Sequence, residues 1–422
     1  MNTKAKIKNN CFALPKGVNW CPVDTALRTL KENLHTLCEP MTISTLASEG
    51  HTLSQPIHAE VSNPSFSNSA VDGYGFSGST NEGLNEFSLM SETAFVGAPF
   101  IGRVPQFHAI QIMTGASLPT GVDTVVLNED VTLDNRKLTF SGKLKTGSNV
   151  RLAGEDVLRG DLLFDKGHRL RPQDLALLIA TGVKSVEVYE PLRVGVLSTG
   201  NEVLEPSSST KNDLDEARIF DSNRPMLSSL INKWGCDVID IGLEIDDIGK
   251  IRQKLNMASE NCDVLLTTGG ASAGCADYLS KLIKEEGALF QWRIAVKPGR
   301  PLAMGVWKGM PVFGLPGNPV AAYVCTLIFF YPAMCLMSGL GWEEPQAFWV
   351  PANFQKTKLA GRREFLRARL NEECEVEVFR SEGSGRISGL SWSTGLVELP
   401  DKALEINKGN NVKYIPYSSF GI

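Results

Sequence analysis

The sequence predicts a multidomain α/β protein: a helical domain with an inserted β-rich domain, a doubly wound α/β domain, and a C-terminal β-barrel. Short apolar runs cut by Gly, Pro, Asn and Ser fill 60–150, which indicates strands. Strands then alternate with helices of roughly 10–15 residues over 191–344, a pattern typical of a parallel sheet covered on both faces. From 345 onward the helical periodicity stops and short β-type runs follow one another.

Composition narrows the class of protein. The 422 residues are 42% hydrophobic, so the chain can bury several cores. Their formal net charge of −5 argues against a general nucleic-acid binder, which would show a basic stripe. Nine scattered cysteines without a CxxC pair indicate reduced thiols. With no apolar leader in MNTKAKIKNN, we expect a cytoplasmic protein. Five histidines without zinc-ligand spacing, and the lack of a GxSxG motif, argue against zinc enzymes and that class of serine hydrolase.

Two helices define the first predicted domain. Apolar residues at helical spacing from Val23 predict an amphipathic helix that Pro40 stops. In RPQDLALLIATGV, Pro172 suits a first helical position and Gly182 suits the stop. We therefore assign 23–59 with 151–190 to a helical or linker domain I, and 60–150 to the inserted β-rich domain II.

The α/β domain III is predicted at 191–344. Its strands are read from RVGVLSTG, CDVIDIGL, DVLLTTGG, WRIAVKPG, PLAMGVW and MPVFGLPG, with helices between them. The apolar stretch 320–337 approaches the length of a membrane span, but it follows a helix start at GNP and contains Pro332, so we expect a buried or dimer-facing helix. Domain IV, 345–422, is read as a small barrel, with a sandwich as the alternative.

Polar, glycine-containing turns follow three of the domain III strands, where open α/β sheets bind their ligands. These turns comprise Ser198, Thr199, Gly200, Asn201 and Glu202; Gly269, Gly270, Ala271, Ser272 and then Asp277; and Gly314, Pro316, Gly317, Asn318 and Pro319. Glycines allow a close backbone approach, and helix N-termini attract anions, so the turns favour a phosphate-bearing ligand. Ordinary capped turns use the same residues and remain the alternative. Neither GxxxxGK[ST] nor GxGxxG is present.

Charged residues accompany these turns. Lys297 follows a strand, with Arg293 before it and Arg300 after it, and such cations would stabilise a phosphate; a solvated basic turn is the alternative. The carboxylates near predicted strand ends are Glu202, Asp246, Asp247 and Asp277. Few carboxylate oxygens beside a phosphate suit Mg²⁺, although surface acids are the commoner explanation.

An ordered set of motifs carries a family resemblance. The motifs are Asn68–Phe76 (NSAVDGYGF), Gln111–Ala116 (QIMTGA), Arg151–Asp156 (RLAGED), Leu197–Glu202 (LSTGNE), Thr268–Gly274 (TGGASAG) with Asp277 and Tyr278, Val296–Pro301 (VKPGRP) and Gly314–Pro319 (GLPGNP). From about residue 23 to its end, the chain resembles the MoeA-type molybdopterin molybdotransferases, relatives of the gephyrin E domain. The resemblance implies a four-domain homodimer that converts adenylylated molybdopterin and molybdate to molybdenum cofactor and releases AMP.

The resemblance also implies roles for individual residues. Those matching catalytic positions are Asp72, Thr114, Asp156, Glu202, Asp247, Asp277 and Lys297. Those matching substrate-binding positions are Arg151, Ser198, Thr199, Gly200, Gly269, Gly270, Ser272, Arg293, Arg300, Pro316, Gly317, Asn318, Arg367 and Ser384, with Arg367 and Ser384 holding molybdate. Glu202 and Asp277 would hold Mg²⁺. Where relatives often have Lys, this chain has Arg293 and Arg300, which keep the charge but are poor proton donors.

The expected mechanism and its competitors follow. The α/β turns would hold the pyrophosphate and pterin, Lys297 and Arg293 would offset charge on the bridging oxygens, and molybdate would be transferred as AMP leaves. A separate molybdopterin adenylyltransferase would hand over the substrate, and neither nucleic acid nor membrane is an expected partner. The alternatives are a gephyrin-like scaffold with vestigial catalysis and a nucleotide pyrophosphatase. Retained charged groups at the turns favour the enzyme.

Overall fold

The computed structural model describes residues 20–206, 218–269, 278–291, 293–299, 302–383 and 385–422. The helices are α1 (Val23–Asn33), α2 (Pro172–Ala180), α3 (Asn223–Lys233), α4 (Ile248–Asn261), α5 (Tyr278–Glu286), α6 (Pro319–Cys325), α7 (Tyr331–Met337) and α8 (Ser388–Trp392). Within these ranges, 3₁₀ turns span Thr45–Ala47, Asn128–Asp130 and Tyr417–Phe420. The strands of the N-terminal half are β1 (Pro40–Ser44), β2 (Ile57–His58), β3 (Asn68–Ser69), β4 (Gly73–Phe76), β5 (Leu84–Ala94), β6 (His108–Ile112), β7 (Thr124–Leu127), β8 (Thr132–Asp134), β9 (Lys137–Ser141), β10 (Val150–Arg151), β11 (Leu162–Phe164) and β12 (Ser185–Tyr189). Those of the remainder are β13 (Arg193–Thr199), β14 (Val203–Leu204), β15 (Ile219–Phe220), β16 (Asp237–Glu244), β17 (Val264–Thr268), β18 (Ala288–Gln291), β19 (Val296–Lys297), β20 (Ala303–Trp307), β21 (Met310–Leu315), β22 (Phe348–Pro351), β23 (Lys356–Lys358), β24 (Arg363–Leu370), β25 (Val376–Val378), β26 (Gly395–Leu399), β27 (Leu404–Ile406) and β28 (Asn411–Pro416).

The described chain divides into two compact units, the smaller of which is Thr42–Val188. Its main sheet has six strands in the order β7-β4-β6-β5-β9-β8, and short strand pairs join β1 to β12, β2 to β11 and β3 to β10. The side chains of Tyr74, Phe76, Leu138 and Phe140 pack together on this sheet. The β-rich character predicted for 60–150 is confirmed, whereas the four predicted domains remain a finer division than these two units.

The two predicted N-terminal helices have different outcomes. Helix α2 starts at Pro172, and Gly182 follows it with a φ of 84°, as the sequence predicts. Helix α1 ends at Asn33, well before Pro40, so the predicted stop is wrong. Leu34 is already extended, with ψ at 154°, and Pro40 instead begins a strand. The apolar spacing continues past Asn33 because Leu34 and Leu37 still pack on the core in extended backbone.

The sheet that positions the site lies in the larger unit and has the order β16-β13-β17-β21-β20-β18. The first four strands are parallel. As predicted, helices alternate with strands: α3 precedes β16, α4 joins β16 to β17, and α5 lies between β17 and β18. Strand β20 is antiparallel to β21, so the sheet is mixed rather than wholly parallel. The tight turn Lys308–Gly309 between β21 and β20 forces this direction, because parallel neighbours need a long crossover.

The run WRIAVKPG is not a strand of this sheet, contrary to the sequence reading. Among the described residues of this run, 293–299, Val296–Lys297 forms a strand, and this β19 pairs in parallel with β24 of the C-terminal sheet. The alternation of strands and helices could not reveal this, because a two-residue strand carries no periodicity of its own. Lys297 is consequently attached to the C-terminal sheet.

The long apolar stretch is a core helix. Helices α6 and α7 join through a π-helical turn, Thr326–Phe330, into a segment of 19 residues with a mean hydropathy of 2.0. Length and composition alone would suit a membrane span, but 83% of its apolar window is buried inside the protein. Phe329, Phe330 and Met334 lie in the largest hydrophobic core. The prediction of a buried helix is confirmed.

The C-terminal region carries a sheet with the strand path β19-β24-β26-β28-β22, with β25 on β24 and a separate β23–β27 pair. The expectation that helices vanish after 345 is wrong in one place, since α8 spans Ser388–Trp392. Its five residues are too short for a helical apolar pattern to show. The closed barrel remains a prediction.

Candidate functional site

Three glycine-containing turns meet at the carboxyl edge of the parallel strands. Strands β13, β17 and β21 are neighbours. Gly269 has a φ of +85°, and a Cβ there would lie 2.1 Å from the carbonyl oxygen of Thr199. A Cβ on Gly317 would lie 3.7 Å from the Cα of Gly269. The Ser198 and Thr268 hydroxyls are 3.1 Å apart and tie the strand ends together. The turns therefore form one continuous backbone surface, which a ligand can approach closely.

Helix α3 contacts the third of these turns through its first residue. The Asn223 amide donates a hydrogen bond of 2.7 Å to the carbonyl of Gly317. Asn223 is 7% exposed, and its Oδ1 has no hydrogen-bond partner among the described residues. Asn318 caps α6 by accepting hydrogen bonds from the N–H groups of Val320 and Ala321. Asn318 thus has the capping role expected of an ordinary strand-to-helix turn. Asn223 is a residue of the site that the sequence motifs did not reveal.

Carboxylates lie at the β13 and β16 ends of this surface. Glu202 is exposed, and the pKa of Asp246 is raised, mainly by burial and also by the charge of Glu202. Two carboxylates that repel each other in this way are suitable donors for a divalent cation such as Mg²⁺. Asp247 caps α4 through a 2.8 Å hydrogen bond from the N–H of Lys250. No set of three metal-ligating side chains occurs among the residues that the structure describes.

A second cluster surrounds Lys297. Its Nζ lies 2.7 Å from Glu382 and 3.4 Å from Glu364. Lys356 contacts the same two carboxylates, at 3.2 Å from Glu364 and more closely at Glu382. Burial alone would raise the pKa of Glu382, but the hydrogen bonds from the two lysines outweigh it and lower the pKa. Sequence reasoning missed Lys356, Glu364 and Glu382. Glu382 lies two residues before the predicted Ser384, but that position alone predicts no contact with the lysines.

Arg367 lines the same cleft as Lys297 and Glu382. It is 5% exposed and packs over the ring of Phe379, and burial lowers its pKa. Its guanidinium donates to the backbone carbonyls of Ser381 and Gly383 at 2.7 and 3.1 Å, and also to that of Arg386. A buried guanidinium and Lys297 therefore line one small cleft, and Lys356 pairs with the Glu382 that lines it too. This arrangement suits a compact oxyanion.

The remaining predicted residues are Arg293, Pro316 and five positions that the structure does not describe. Arg293 is half-buried in a left-handed conformation, with a φ of 70°, and its carbonyl accepts from Cys21. The predicted positions that lie outside the described residues are Gly270, Ser272, Asp277, Arg300 and Ser384. Pro316 is buried in the third turn. These residues keep their status as predictions.

The smaller unit carries its own polar cluster. Asp72 accepts hydrogen bonds from the N–H and the hydroxyl of Thr114, at 2.6 and 2.8 Å, and these bonds lower its pKa. Asp156 accepts a 2.9 Å hydrogen bond from the amide of Asn63. Arg151 is exposed on β10. Within this unit the structure brings Asp72 and Thr114 together, as an ionised carboxylate beside a hydroxyl.

Comparisons with known proteins cover almost the whole chain. Residues 21–182 match the MoeA N-terminal region (domain I and II), 195–335 a probable molybdopterin binding domain, and 350–417 the MoeA C-terminal region (domain IV). The molybdopterin molybdenumtransferase of Haemophilus influenzae is 34% identical over 403 residues, covering 94% of this chain and 95% of that one. The enzyme of the same name from Synechococcus elongatus is 31% identical, covering 82% and 87%.

A solved structure agrees. The molybdopterin biosynthesis MoeA protein of Pyrococcus horikoshii superposes with a TM-score of 0.83 at 27% identity, covering 94% of this chain and all of that one. The fold and the glycine-lined turns thus define a multidomain protein with a molybdopterin-binding α/β domain. The chain belongs to the MoeA family of molybdopterin molybdenumtransferases.

Proposed function

We propose that this chain is a molybdopterin molybdotransferase, which inserts molybdate into adenylylated molybdopterin and releases AMP. The observation that carries the proposal is the convergence of the turns after β13, β17 and β21 on one surface. There the missing side chain of Gly269 leaves room for the carbonyl oxygen of Thr199. Whole-length similarity to named molybdopterin molybdenumtransferases supports it. The scaffold alternative is not favoured, because these relatives are named as enzymes.

The two halves of the substrate pair have different sites in this proposal. The glycine turns take the pyrophosphate and pterin of the adenylylated compound, since backbone N–H groups and α6 favour negative charge there. Molybdate, a tetrahedral dianion, lies in the cleft of Lys297 and Arg367, with Ser384 as a further ligand. Lys297 and Arg293 offset charge on the bridging oxygens as AMP leaves.

Magnesium is part of the proposal. Glu202 and Asp277 would hold the ion, and the repulsion between Glu202 and Asp246 supports a cation at this place. When bound, Mg²⁺ would polarise the phosphoanhydride. Asp277→Ala should abolish AMP release at limiting magnesium. If the rate of AMP release is unchanged, the proposal that Asp277 holds Mg²⁺ is refuted. Glu260→Ala, an acidic-to-alanine change at the end of α4, is the matched control.

The active assembly is proposed to be a four-domain homodimer that works in the cytoplasm, with the predicted domain boundaries and a closed C-terminal barrel. Asp72, Thr114, Arg151 and Asp156 of one subunit would complete the partner's site, which the family resemblance supports. A separate adenylyltransferase would deliver the substrate. No partner in nucleic acid or membrane is proposed.

Mixed dimers test the shared site. Asp72→Ala and Lys297→Met subunits, each inactive alone, should recover about a quarter of the wild-type sites when mixed equally, because half of the dimers are mixed and each regains one site. If no activity is recovered although mixed dimers are present, both residues belong to a site within one subunit.

The activity itself is tested by adding molybdate to purified protein and adenylylated molybdopterin. AMP release supports the proposal, and its absence refutes it.

A further inference from the structure

One segment of the chain, comprising residues 381–383 and 386, already engages the cations of the oxyanion cleft, the cleft that Lys297 and Arg367 line. Its backbone carbonyls at Ser381, Gly383 and Arg386 accept from Arg367. Its Glu382 carboxylate reaches out to Lys297 with one oxygen and to Lys356 with the other. A carboxylate is a planar monoanion with two oxygens, so Glu382 occupies the place between these lysines that an oxyanion would take.

The second carboxylate at this place is held differently. Glu364 belongs to β24, which pairs with β19 and β26 at that residue, and its side chain is 12% exposed. Glu382 lies in a loop, and its side chain is 43% exposed. Glu382 can therefore leave without breaking a strand ladder, and each lysine keeps Glu364 as a partner when it does.

We propose that Glu382 is an internal competitor for the oxyanion, and that it leaves Lys297 and Lys356 when a tetrahedral anion binds. Lys356 then becomes a ligand of that anion beside Lys297 and Arg367. The inference rests on the proposed function, because it takes this cleft as the molybdate site. It adds to that function a residue that sets how strongly the anion is held.

Competition lowers affinity by a calculable factor. An anion that binds only when Glu382 has left has an apparent Kd equal to its intrinsic Kd divided by the fraction of protein in which Glu382 is away. Glu382→Gln removes the competing charge, so the Kd for molybdate should fall on the order of tenfold if the carboxylate is in place about nine-tenths of the time. Lys356→Met should raise the Kd.

A second anion distinguishes displacement from simple repulsion. Perrhenate is tetrahedral like molybdate but carries one negative charge. If Glu382 must leave, Glu382→Gln improves the Kd of both anions by the same factor. If Glu382 stays in place and only repels, the dianion gains twice the free energy of the monoanion, so its factor is the square of that for perrhenate.

The experiment is direct anion binding by calorimetry, with the full-length protein and its Glu382→Gln, Glu382→Ala and Glu377→Gln variants. Glu377 pairs with Arg369 on the same sheet and is the matched control. Equal tightening for molybdate and perrhenate in both Glu382 variants, with none in Glu377→Gln, supports the proposal. The proposal is overturned if the Glu382 variants bind the anions no more tightly than the wild type does. It is also overturned if the factor for molybdate is the square of that for perrhenate, or if no anion binding can be measured. The proposed function fails separately, if the wild type releases no AMP from adenylylated molybdopterin with molybdate.

Discussion

Asp72 accepts two hydrogen bonds on one oxygen from Thr114, 2.6 Å from its N–H and 2.8 Å from its hydroxyl. The two residues are 42 positions apart, and antiparallel pairing of β4 with β6 brings them together. Both bonds stabilise the carboxylate and lower its pKa. Asp72 is therefore presented to solvent as an ionised group with a fixed orientation.

Thr114→Val should raise the pKa of Asp72, because the backbone hydrogen bond remains and the hydroxyl bond is lost. A higher pKa means that Asp72 protonates at higher pH, so the acid limb of the pH–activity profile should move upward. The carbon resonance of the Asp72 carboxyl group reports the pKa directly. Thr132→Val, on the exposed strand β8, should leave it unchanged. An unaltered Asp72 titration in Thr114→Val would contradict this account.

Gly269→Ala should damage the site and the fold together. The new Cβ would lie 2.1 Å from the Thr199 carbonyl oxygen at a φ of +85°. Gly309→Ala is the matched control, since its φ is +88° and nothing lies within 4 Å of the added atom. The control should cost about 1–2 kcal/mol for the left-handed backbone alone. Thermal unfolding and AMP release should show a larger loss in Gly269→Ala; equal losses would refute the close packing of the turns.

Asp174 should make the protein sensitive to acid. Hydrogen bonds from Arg171 and then His168 hold its pKa well below the usual range, and the residue is 3% exposed. The folded pKa lies below the unfolded value of about 3.9, so this stabilisation is complete above that pH and is lost as the pH falls toward the folded pKa.

Asp174→Asn should therefore lower the free energy of unfolding at neutral pH by on the order of 2 kcal/mol and flatten its decline below about pH 5. Urea unfolding across pH 3–7 measures both effects. Asp134→Asn, at an exposed position of the same unit, should leave the curve as it is. A variant curve parallel to that of the wild type would show that Asp174 does not carry the acid response.

Arg363 should contribute more to stability than its partner Asp24. The guanidinium makes two hydrogen bonds to Asp24, at 2.7 and 2.8 Å, and also contacts Glu398 and Asp401. Arg363→Met leaves Glu398 without this buried partner and should cost about 3 kcal/mol. Asp24→Asn removes one exposed carboxylate and should cost less than about 1 kcal/mol. Equal midpoints in urea for the two variants would contradict the difference in burial.

Local patterns predicted the regular elements well. Helix α2 follows from Pro172 and Gly182, and α6 from Asn318 and Pro319, because caps and stops act within a few residues. The direction of β20 was missed, since neighbouring strands joined by a tight turn must run antiparallel whatever their composition. Strand β19 was assigned to the wrong sheet, because pairing with β24 is a long-range contact.

The site was predictable in part. Glycine turns after strands mark Gly269 and Gly317, because the rule on sheet edges applies to any parallel sheet. Asn223, Lys356 and Glu382 were missed, since each acts through a partner far along the chain. A lone Asn or Glu in a sequence has no local signature for such a contact.

The most direct test of the central claim is to measure AMP release and molybdenum incorporation in one reaction. Purified protein is mixed with adenylylated molybdopterin, magnesium and molybdate, with Lys297→Met in parallel. The account predicts one AMP released for each molybdenum bound to the pterin, no release without molybdate, and a large loss in the variant. AMP release that proceeds at the same rate without molybdate would contradict it and would identify a hydrolase instead.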